Sequence, residues 1–184
     1  SGDYILFYAR GVVGWLYNGD RWVHTRNPYS NYGYYFLSDR VGKQRLIQQE
    51  SAQSDADVIS VDWGIEYYLH EKEMVNLIDN SGSAGGGREF YGESLSASAN
   101  TLSITFPTQA VRKGANLSCY VAAAASSSSV STMTAKIAGS SSKLSFLAIP
   151  PSNFYKKAET ASALIKTKTN STGEQSLLLT YQVD

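Results

Sequence analysis

The sequence predicts an all-β fold, an antiparallel β-sandwich of the jelly-roll kind, with at most one short helix around residues 71–79. Short runs rich in β-branched and aromatic residues recur between turn-forming residues, without long helical patterns. Thirteen tyrosines and three tryptophans stand against two methionines, a composition typical of strands. An Asn-Gly pair also separates two strand-like runs near the start of the chain.

The first elements are a strand and a hairpin. Residues 3–9 include Tyr-Ile-Leu-Phe-Tyr, which is typical of a buried strand. Residues 12–17 and 21–25 flank Asn18-Gly19-Asp20. Asn-Gly between β-forming runs is the strongest short-range hairpin signal, because both residues tolerate positive φ. We therefore expect the two runs to pair as antiparallel strands.

Alternation along each hairpin arm predicts which side chains share a face. It places Trp15 with Tyr17 on one face, and Trp22 with His24 on another. After a Pro/Asn-containing loop, the aromatic residues 33–37 are expected to return to strand.

The middle of the chain is predicted to be mixed. Residues 58–69 alternate well enough for a longer strand, after a polar, turn-like stretch. Residues 71–78 place Met74, Leu77 and Ile78 on one side and form the candidate helix of one or two turns.

The segment 81–93 reads Ser-Gly-Ser-Ala-Gly-Gly-Gly-Arg-Glu-Phe-Tyr-Gly-Glu. Its glycines allow backbone geometry closed to other residues, which indicates a flexible connector. Arg88, Glu89, Gly92 and Glu93 follow as a structural motif, a packing and ion-pairing corner. Arg88 can fork onto a carboxylate, so Glu89 or Glu93 is its expected partner.

The second half of the chain is predicted to be short strands separated by turns. A run of alanines and serines at 122–129 could divide two domains, but a loop or packed strand end inside one domain is favoured. We therefore expect a single β-sandwich over residues 1–184, a fragment of a larger protein. The predicted strands are residues 101–106, 117–123, 130–137, 144–149, 162–169 and 175–183.

Composition argues against several classes of function. The 184 residues carry 16 basic and 16 acidic side chains, so the basic excess expected for nucleic-acid or anionic-membrane binding is missing. No apolar run approaches the roughly 20 residues of a membrane span. The start at Ser1-Gly2-Asp3 shows no signal-peptide pattern and indicates a trimmed boundary.

The sequence offers little catalytic or metal-binding chemistry. Cys119 lies in an apolar, strand-like run, which predicts an inert buried thiol rather than a partner of His24 or His70. Paired glutamates could host glycoside hydrolysis, but solvated or ion-paired carboxylates are the favoured interpretation. Neither metal-ligand spacing nor a phosphate-binding motif is recognised, so we expect no catalytic residue, no metal and no cofactor.

Aromatic residues crowd the first 35 positions. One interpretation is a sugar- or peptide-binding platform, with Trp15, Trp22, Tyr29 and Tyr32 as candidate binding residues. The favoured alternative is that most of these rings pack in the core. Tyr29 and Tyr32 flank a Pro/Asn loop and are the residues expected to be exposed.

Three motifs occur in a recognisable order. The first is Gly-Asp-Tyr-Ile-Leu-Phe-Tyr-Ala-Arg-Gly (residues 2–11), with Trp-Leu-Tyr following at 15–17. The second is His-Thr-Arg-Asn-Pro-Tyr-Ser-Asn-Tyr-Gly-Tyr-Tyr-Phe-Leu (24–37). The third is His-Glu-Lys-Glu-Met-Val-Asn-Leu (70–77), leading into Gly-Arg-Glu-Phe-Tyr-Gly-Glu (87–93). This series resembles the region before the catalytic domain in PorU-like sortases of type IX secretion, relatives of the gingipain cysteine peptidases of Bacteroidetes.

The resemblance covers residues 2–95 and implies a function for the whole parent protein. It implies an exported protein attached at the outer membrane, whose caspase-like domain follows Asp184 and removes sorting domains from cargo. The inserted Ser83–Gly87 departs from the pattern, and the family's catalytic His-Cys pair has no counterpart here. This chain would be an accessory β-sandwich that contacts its own peptidase domain, other secretion components or cargo. The alternative is a carbohydrate-binding jelly roll using surface aromatics.

Overall fold

The structure is a computed structural model that describes residues 7–27, 29–37, 64–76, 90–153 and 156–184. Internal contacts divide the chain into two compact units, Ser1–Ile65 and Glu66–Asp184. Within the described ranges all regular secondary structure is β-strand and every strand pair is antiparallel, which confirms the all-β fold class. The expectation of one sandwich over residues 1–184 stays a prediction.

A hairpin is the regular element of the first unit. Strand β1 (Val13–Tyr17) pairs with β2 (Trp22–Arg26), as predicted. In the turn, the Asn18 side-chain oxygen accepts hydrogen bonds from the backbone N–H groups of Asp20 (3.1 Å) and Arg21 (3.0 Å). Gly19 adopts φ of 98°, a conformation that favours glycine.

The flanking segments of this unit are not strands, so two predictions were wrong. Residues 33–37 form no ladder, nor do residues 7–9; the rest of that predicted strand lies outside the described residues. Side chains satisfy the backbone here instead: Tyr35 donates its hydroxyl proton to the Arg10 carbonyl, and the Ser30 hydroxyl bonds both the N–H and the carbonyl of Tyr32. Such local bonds compete with strand pairing.

The candidate helix is absent over its described part, residues 71–76. The backbone N–H groups of Met74 and Val75 both donate to the Tyr91 carbonyl, at 3.0 and 2.7 Å. Tyr91 N–H donates in return to the Val75 carbonyl at 2.8 Å, which makes an isolated antiparallel bridge. A helix needs these donors for its own turns, so the long-range bridge replaces it. Residues 64–69 also form no strand; the rest of the predicted strand 58–69 lies outside the described residues.

Six strands in two antiparallel sheets build the second unit. The four-stranded sheet has the order β3-β8-β5-β6, and β4 pairs with β7 in a two-stranded sheet. The run 122–129 marks no domain boundary, because it contains the end of β4 and the loop that leads to β5. The strands are β3 (Thr101–Phe106), β4 (Asn116–Ala125), β5 (Ser131–Ile137), β6 (Ser140–Phe146), β7 (Glu159–Lys168) and β8 (Gln175–Val183).

Strand β6 differs most from its predicted bounds. Strand β6 was expected over residues 144–149, but it runs from Ser140 to Phe146. A two-residue turn with positive φ at Ala138 (48°) and Gly139 (85°) connects it to β5. This tight reversal twists in the same sense as the strands, although alanine is a rare residue for it. The serines that open β6 gave no strand signal of their own.

The core lies between the two sheets. Each of the six strands of the second unit contributes core-facing side chains to one apolar cluster, and more buried positions alternate with more exposed ones along most of their length. Phe146, Leu144 and Ile137 are almost completely buried, and the small Ala123 and Ala125 fill the end of β4. Sheets that bury one face against each other in this way form a sandwich.

The buried polar side chains differ in how they are satisfied. Gln175 donates from its amide to the Gly173 carbonyl at 2.9 Å, and Thr169 donates its hydroxyl proton to the Arg112 carbonyl at 2.6 Å. Ser131 in β5 is fully buried, and its hydroxyl has no partner in the described part of the chain. An unsatisfied buried hydroxyl lowers stability.

We expect Ser131→Ala to raise the free energy of unfolding by about 1 kcal/mol, because it removes that hydroxyl. Urea unfolding measures the change. Ser140→Ala is the matched control, since the Ser140 hydroxyl lies 2.8 Å from the Thr167 hydroxyl. It should lower stability by about 1 kcal/mol. Equal destabilisation by both substitutions would contradict the assignment of the Ser131 hydroxyl as an unsatisfied buried group.

Candidate recognition surface

Two rows of aromatic rings lie on one face of the hairpin. The register of β1 and β2 places Trp15 opposite His24, and Tyr17 opposite Trp22. Residues directly opposite each other project from the same face of a sheet. The ring centroids lie 5.2 Å apart for Trp15 and His24, and 5.5 Å apart for Tyr17 and Trp22. The expectation that these residues occupy two different faces was therefore wrong. We call the four residues the aromatic face.

The exposed end of the aromatic face lies beside the turn. Tyr17 is 52% exposed and Trp22 is 38% exposed, whereas Trp15 and His24 are half-buried. The Tyr17 hydroxyl donates to the Gly19 carbonyl at 2.9 Å, which holds this ring over the hairpin end. Neither pair is parallel: the ring planes are inclined by 65° and 52°. The face is therefore contoured rather than flat.

Other rings of the first unit are also exposed. Tyr29 and Tyr32, the candidate binding residues outside the hairpin, are 75% and 72% exposed, as their position beside a loop predicts. Tyr34 and Phe36 are exposed as well. The favoured interpretation that most of these aromatics pack in a core was therefore wrong for the described residues. Exposed aromatic groups in such number are typical of binding surfaces.

A second ordered feature, within the second unit, joins residues 70–75 to residues 91–93. The Val75–Tyr91 bridge connects the two segments. Next to it the backbones lie close together at Gly92, where an added Cβ would lie 3.0 Å from the Lys72 Cβ and 3.2 Å from the Lys72 carbonyl oxygen. Glu93 Oε1 lies 2.8 Å from both His70 Nε2 and Lys72 Nζ. We call this arrangement the Glu93 clasp.

The Glu93 clasp contains two of the four residues of the predicted structural motif. Gly92 provides the close approach and Glu93 the ion pair, but the partners are His70 and Lys72. Arg88 and Glu89 lie outside the described residues. The Lys72 ammonium is the main cause that holds the pKa of Glu93 below its ordinary value, with His70 adding to the effect. A general acid needs the opposite shift, so the geometry indicates a structural ion pair.

Cys119 has the environment of an inert thiol. It lies on β4 opposite Ile165 of β7 and packs against the apolar core. Burial raises the pKa of its thiol to about 11. Because the thiolate is the nucleophilic form, this thiol is unreactive at neutral pH.

Outside the Glu93 clasp, the described ranges offer little metal-binding or acid–base chemistry. No group of three His, Cys, Asp or Glu side chains there is placed to hold a metal ion. No helix in the same ranges is long and apolar enough to cross a membrane. A shallow, open depression beside Ser127, Pro150 and Lys157 has no paired acid and base in its described lining.

Sequence reasoning missed four residues of these two features. Tyr17 and His24 complete the aromatic face, and the Asn-Gly turn could have revealed them, because hairpin loop length determines register. His70 and Lys72 bind Glu93 from more than twenty positions away. Lys72 was placed in the candidate helix and His70 directly before it, which concealed that two residues at this spacing lie on one side of an extended chain.

Comparisons of the chain with protein-family models, curated protein sequences and solved structures found no match in any of the three.

Gly92→Ala should weaken the Glu93 clasp, because the added Cβ meets the Lys72 backbone. We expect the free energy of local opening to fall by about 1 kcal/mol, as for other overpacked sites. Hydrogen exchange at the Val75 and Tyr91 amides reports it. Gly64→Ala is the control, since its Cβ would meet nothing within 4 Å. Unchanged protection of these two amides in Gly92→Ala would contradict the prediction and show that the Lys72 backbone accommodates the added Cβ without cost.

The clasp should also weaken in acid. The folded-state pKa of Glu93 lies below its ordinary value of 4.5, so its contribution is present above that value. The contribution is lost as the pH falls through the lowered folded-state pKa. Exchange at Val75 and Tyr91, corrected for intrinsic rates, should show this loss in the wild type but not in Glu93→Gln. Parallel pH profiles for the two proteins would contradict this assignment.

Proposed function

We propose that this chain is a non-catalytic recognition region of a PorU-like sortase of type IX secretion. Its role is to bind other polypeptides, with the C-terminal β-sandwich sorting domain of a cargo protein as the preferred partner. The observation that carries the proposal is the aromatic face, where Trp15, Tyr17 and Trp22 share one side of an ordered hairpin.

The composition of the first unit supports a protein partner. Tyrosine, tryptophan and arginine are enriched in protein interfaces and dominate their binding energy. Tyr17 and Trp22 are exposed next to each other, and Arg26 ends the same hairpin face opposite Val13. The rings are inclined to each other, and this uneven surface suits the irregular side chains of a polypeptide better than a flat polymer.

The motif series supports the family assignment. Two of its segments, one beginning at His70 and the other ending at Glu93, are joined in the Glu93 clasp. The close approach of Gly92 to Lys72 gives a physical reason for a glycine directly before that glutamate. We propose a location at the cell surface, with catalysis in a caspase-like domain of the parent protein and none in this region.

A carbohydrate ligand is the second candidate. Adjacent exposed rings of Tyr17 and Trp22, with centroids 5.5 Å apart, offer apolar surface on which a sugar ring can stack. The inclination of the rings limits this stacking to one ring at a time.

The test is titration calorimetry of the chain against a purified C-terminal sorting domain from a type IX secretion cargo. Trp22→Ala should weaken binding about thirtyfold, as for a hot-spot residue. Tyr120→Ala is the matched control, because Tyr120 is an exposed aromatic residue of the second unit. It should leave the affinity unchanged. Circular dichroism confirms that each variant folds.

A sorting domain that does not bind, or that binds equally well to Trp22→Ala, overturns the proposal. A glycan array run in parallel distinguishes the alternative. Glycan binding that disappears in Trp22→Ala, with no binding to the sorting domain, identifies a carbohydrate-binding module.

A further inference from the structure

The outer face of the four-stranded sheet has an unusual composition. It consists of the positions that alternate with the core residues of β3, β5, β6 and β8. Most of these side chains carry a hydroxyl, two are lysines and none is acidic. The exposed and half-buried positions are Thr101, Ser103, Thr105, Thr134, Lys136, Ser141, Lys143, Ser145, Ser176, Leu178, Thr180 and Gln182, while Thr132 lies on the same side but is buried. We call them the hydroxyl face.

Strand register arranges the hydroxyl face in rows. One row crosses all four strands and ends at a lysine: Thr101, Thr180, Thr134, Lys143. The neighbouring row also crosses all four: Ser103, Leu178, Lys136, Ser141. Neighbouring residues in a row lie about 4.8 Å apart, and the rows lie about 6.8 Å apart along the strands. The result is a regular grid of hydrogen-bonding groups.

The two lysines are close and have the same charge. Lys143 lies opposite Thr134, and Lys136 lies two residues further along β5, so the ammonium groups are diagonal neighbours on exposed positions. Like charges at such a distance repel each other. Because the hydroxyl face contains no carboxylate, its charge is complementary to an anionic ligand.

We propose that the hydroxyl face binds an acidic polysaccharide. Sugar hydroxyls bond to the serine and threonine grid, and the ligand's carboxylates lie against Lys136 and Lys143. A protein partner fits less well, because Leu178 is the sole apolar side chain on this face and no aromatic anchor is present. A nucleic acid fits less well, because two lysines neutralise few phosphates and no ring is available for base stacking.

This inference is independent of the proposed function. It concerns the second unit, a polar face and a glycan, whereas the proposed function concerns the hairpin and a polypeptide. Either can fail while the other stands.

The test is affinity electrophoresis in gels that contain alginate, a polyuronate, or dextran, a neutral glucan. Migration of the wild type should be retarded by alginate and far less by dextran, and added salt should reduce the retardation. The double variant Lys136→Gln/Lys143→Gln should bind alginate about threefold to tenfold more weakly, the effect of two exposed ion pairs. Lys113→Gln/Lys157→Gln, which removes two exposed lysines outside this sheet, should migrate like the wild type.

An isosteric pair of substitutions tests the charge directly. Leu178→Asp introduces a carboxylate opposite Lys136, in the middle of the hydroxyl face, and should weaken alginate binding because it offsets one of the two lysine charges. Leu178→Asn has the same shape without the charge and should retain binding. Thermal unfolding verifies that both variants fold.

Three results overturn the inference: no retardation by alginate, equal retardation by dextran, or equal losses in the two double lysine variants. Equal behaviour of Leu178→Asp and Leu178→Asn also overturns it. The predicted pattern across all four variants supports it.

Discussion

Strand register determines which side chains act together in this protein. In an antiparallel pair, a shift of one residue sends every side chain of a strand to the opposite face. The turn after Tyr17 therefore decides that this ring meets Trp22, and the Ala138-Gly139 turn decides that Lys136 and Lys143 share a surface. Both candidate surfaces depend on short turns that contribute nothing to binding themselves.

The parts of the fold that could be predicted are those with a local cause. Strands β3 and β8 have the predicted bounds, because alternation and flanking turn residues define them within the segment itself. The segment near Val75 could not be predicted, since its donors bond to Tyr91, a partner distant in sequence. On the candidate surface, Trp15, Trp22, Tyr29 and Tyr32 were identified by residue type. Which of these side chains share a face could be known only from the strand register.

The two units treat apolar side chains differently. In the second unit, aliphatic residues such as Leu144 and Ile137 are enclosed between sheets, and the outer face of the four-stranded sheet carries mainly hydroxyls and two lysines. In the first unit, large rings such as Tyr29 and Tyr32 stay in contact with solvent. Apolar area that folding leaves exposed remains available to stabilise a complex. The second unit therefore has the enclosed core that a scaffold needs, and the first unit has the exposed apolar area that a binding surface needs.

The sulfur atom in β4 has a practical consequence. Cys119 is the sole cysteine of the chain and is partly buried against the core. Because burial raises the pKa of the Cys119 thiol to about 11, little thiolate exists at neutral pH, and we expect slow reaction with thiol reagents that speeds up when β4 and β7 separate. Conversely, a cysteine introduced on the hairpin could carry a fluorophore or crosslinker while the native sulfur stays silent. Proximity to a bound partner could then be mapped without replacing the native cysteine.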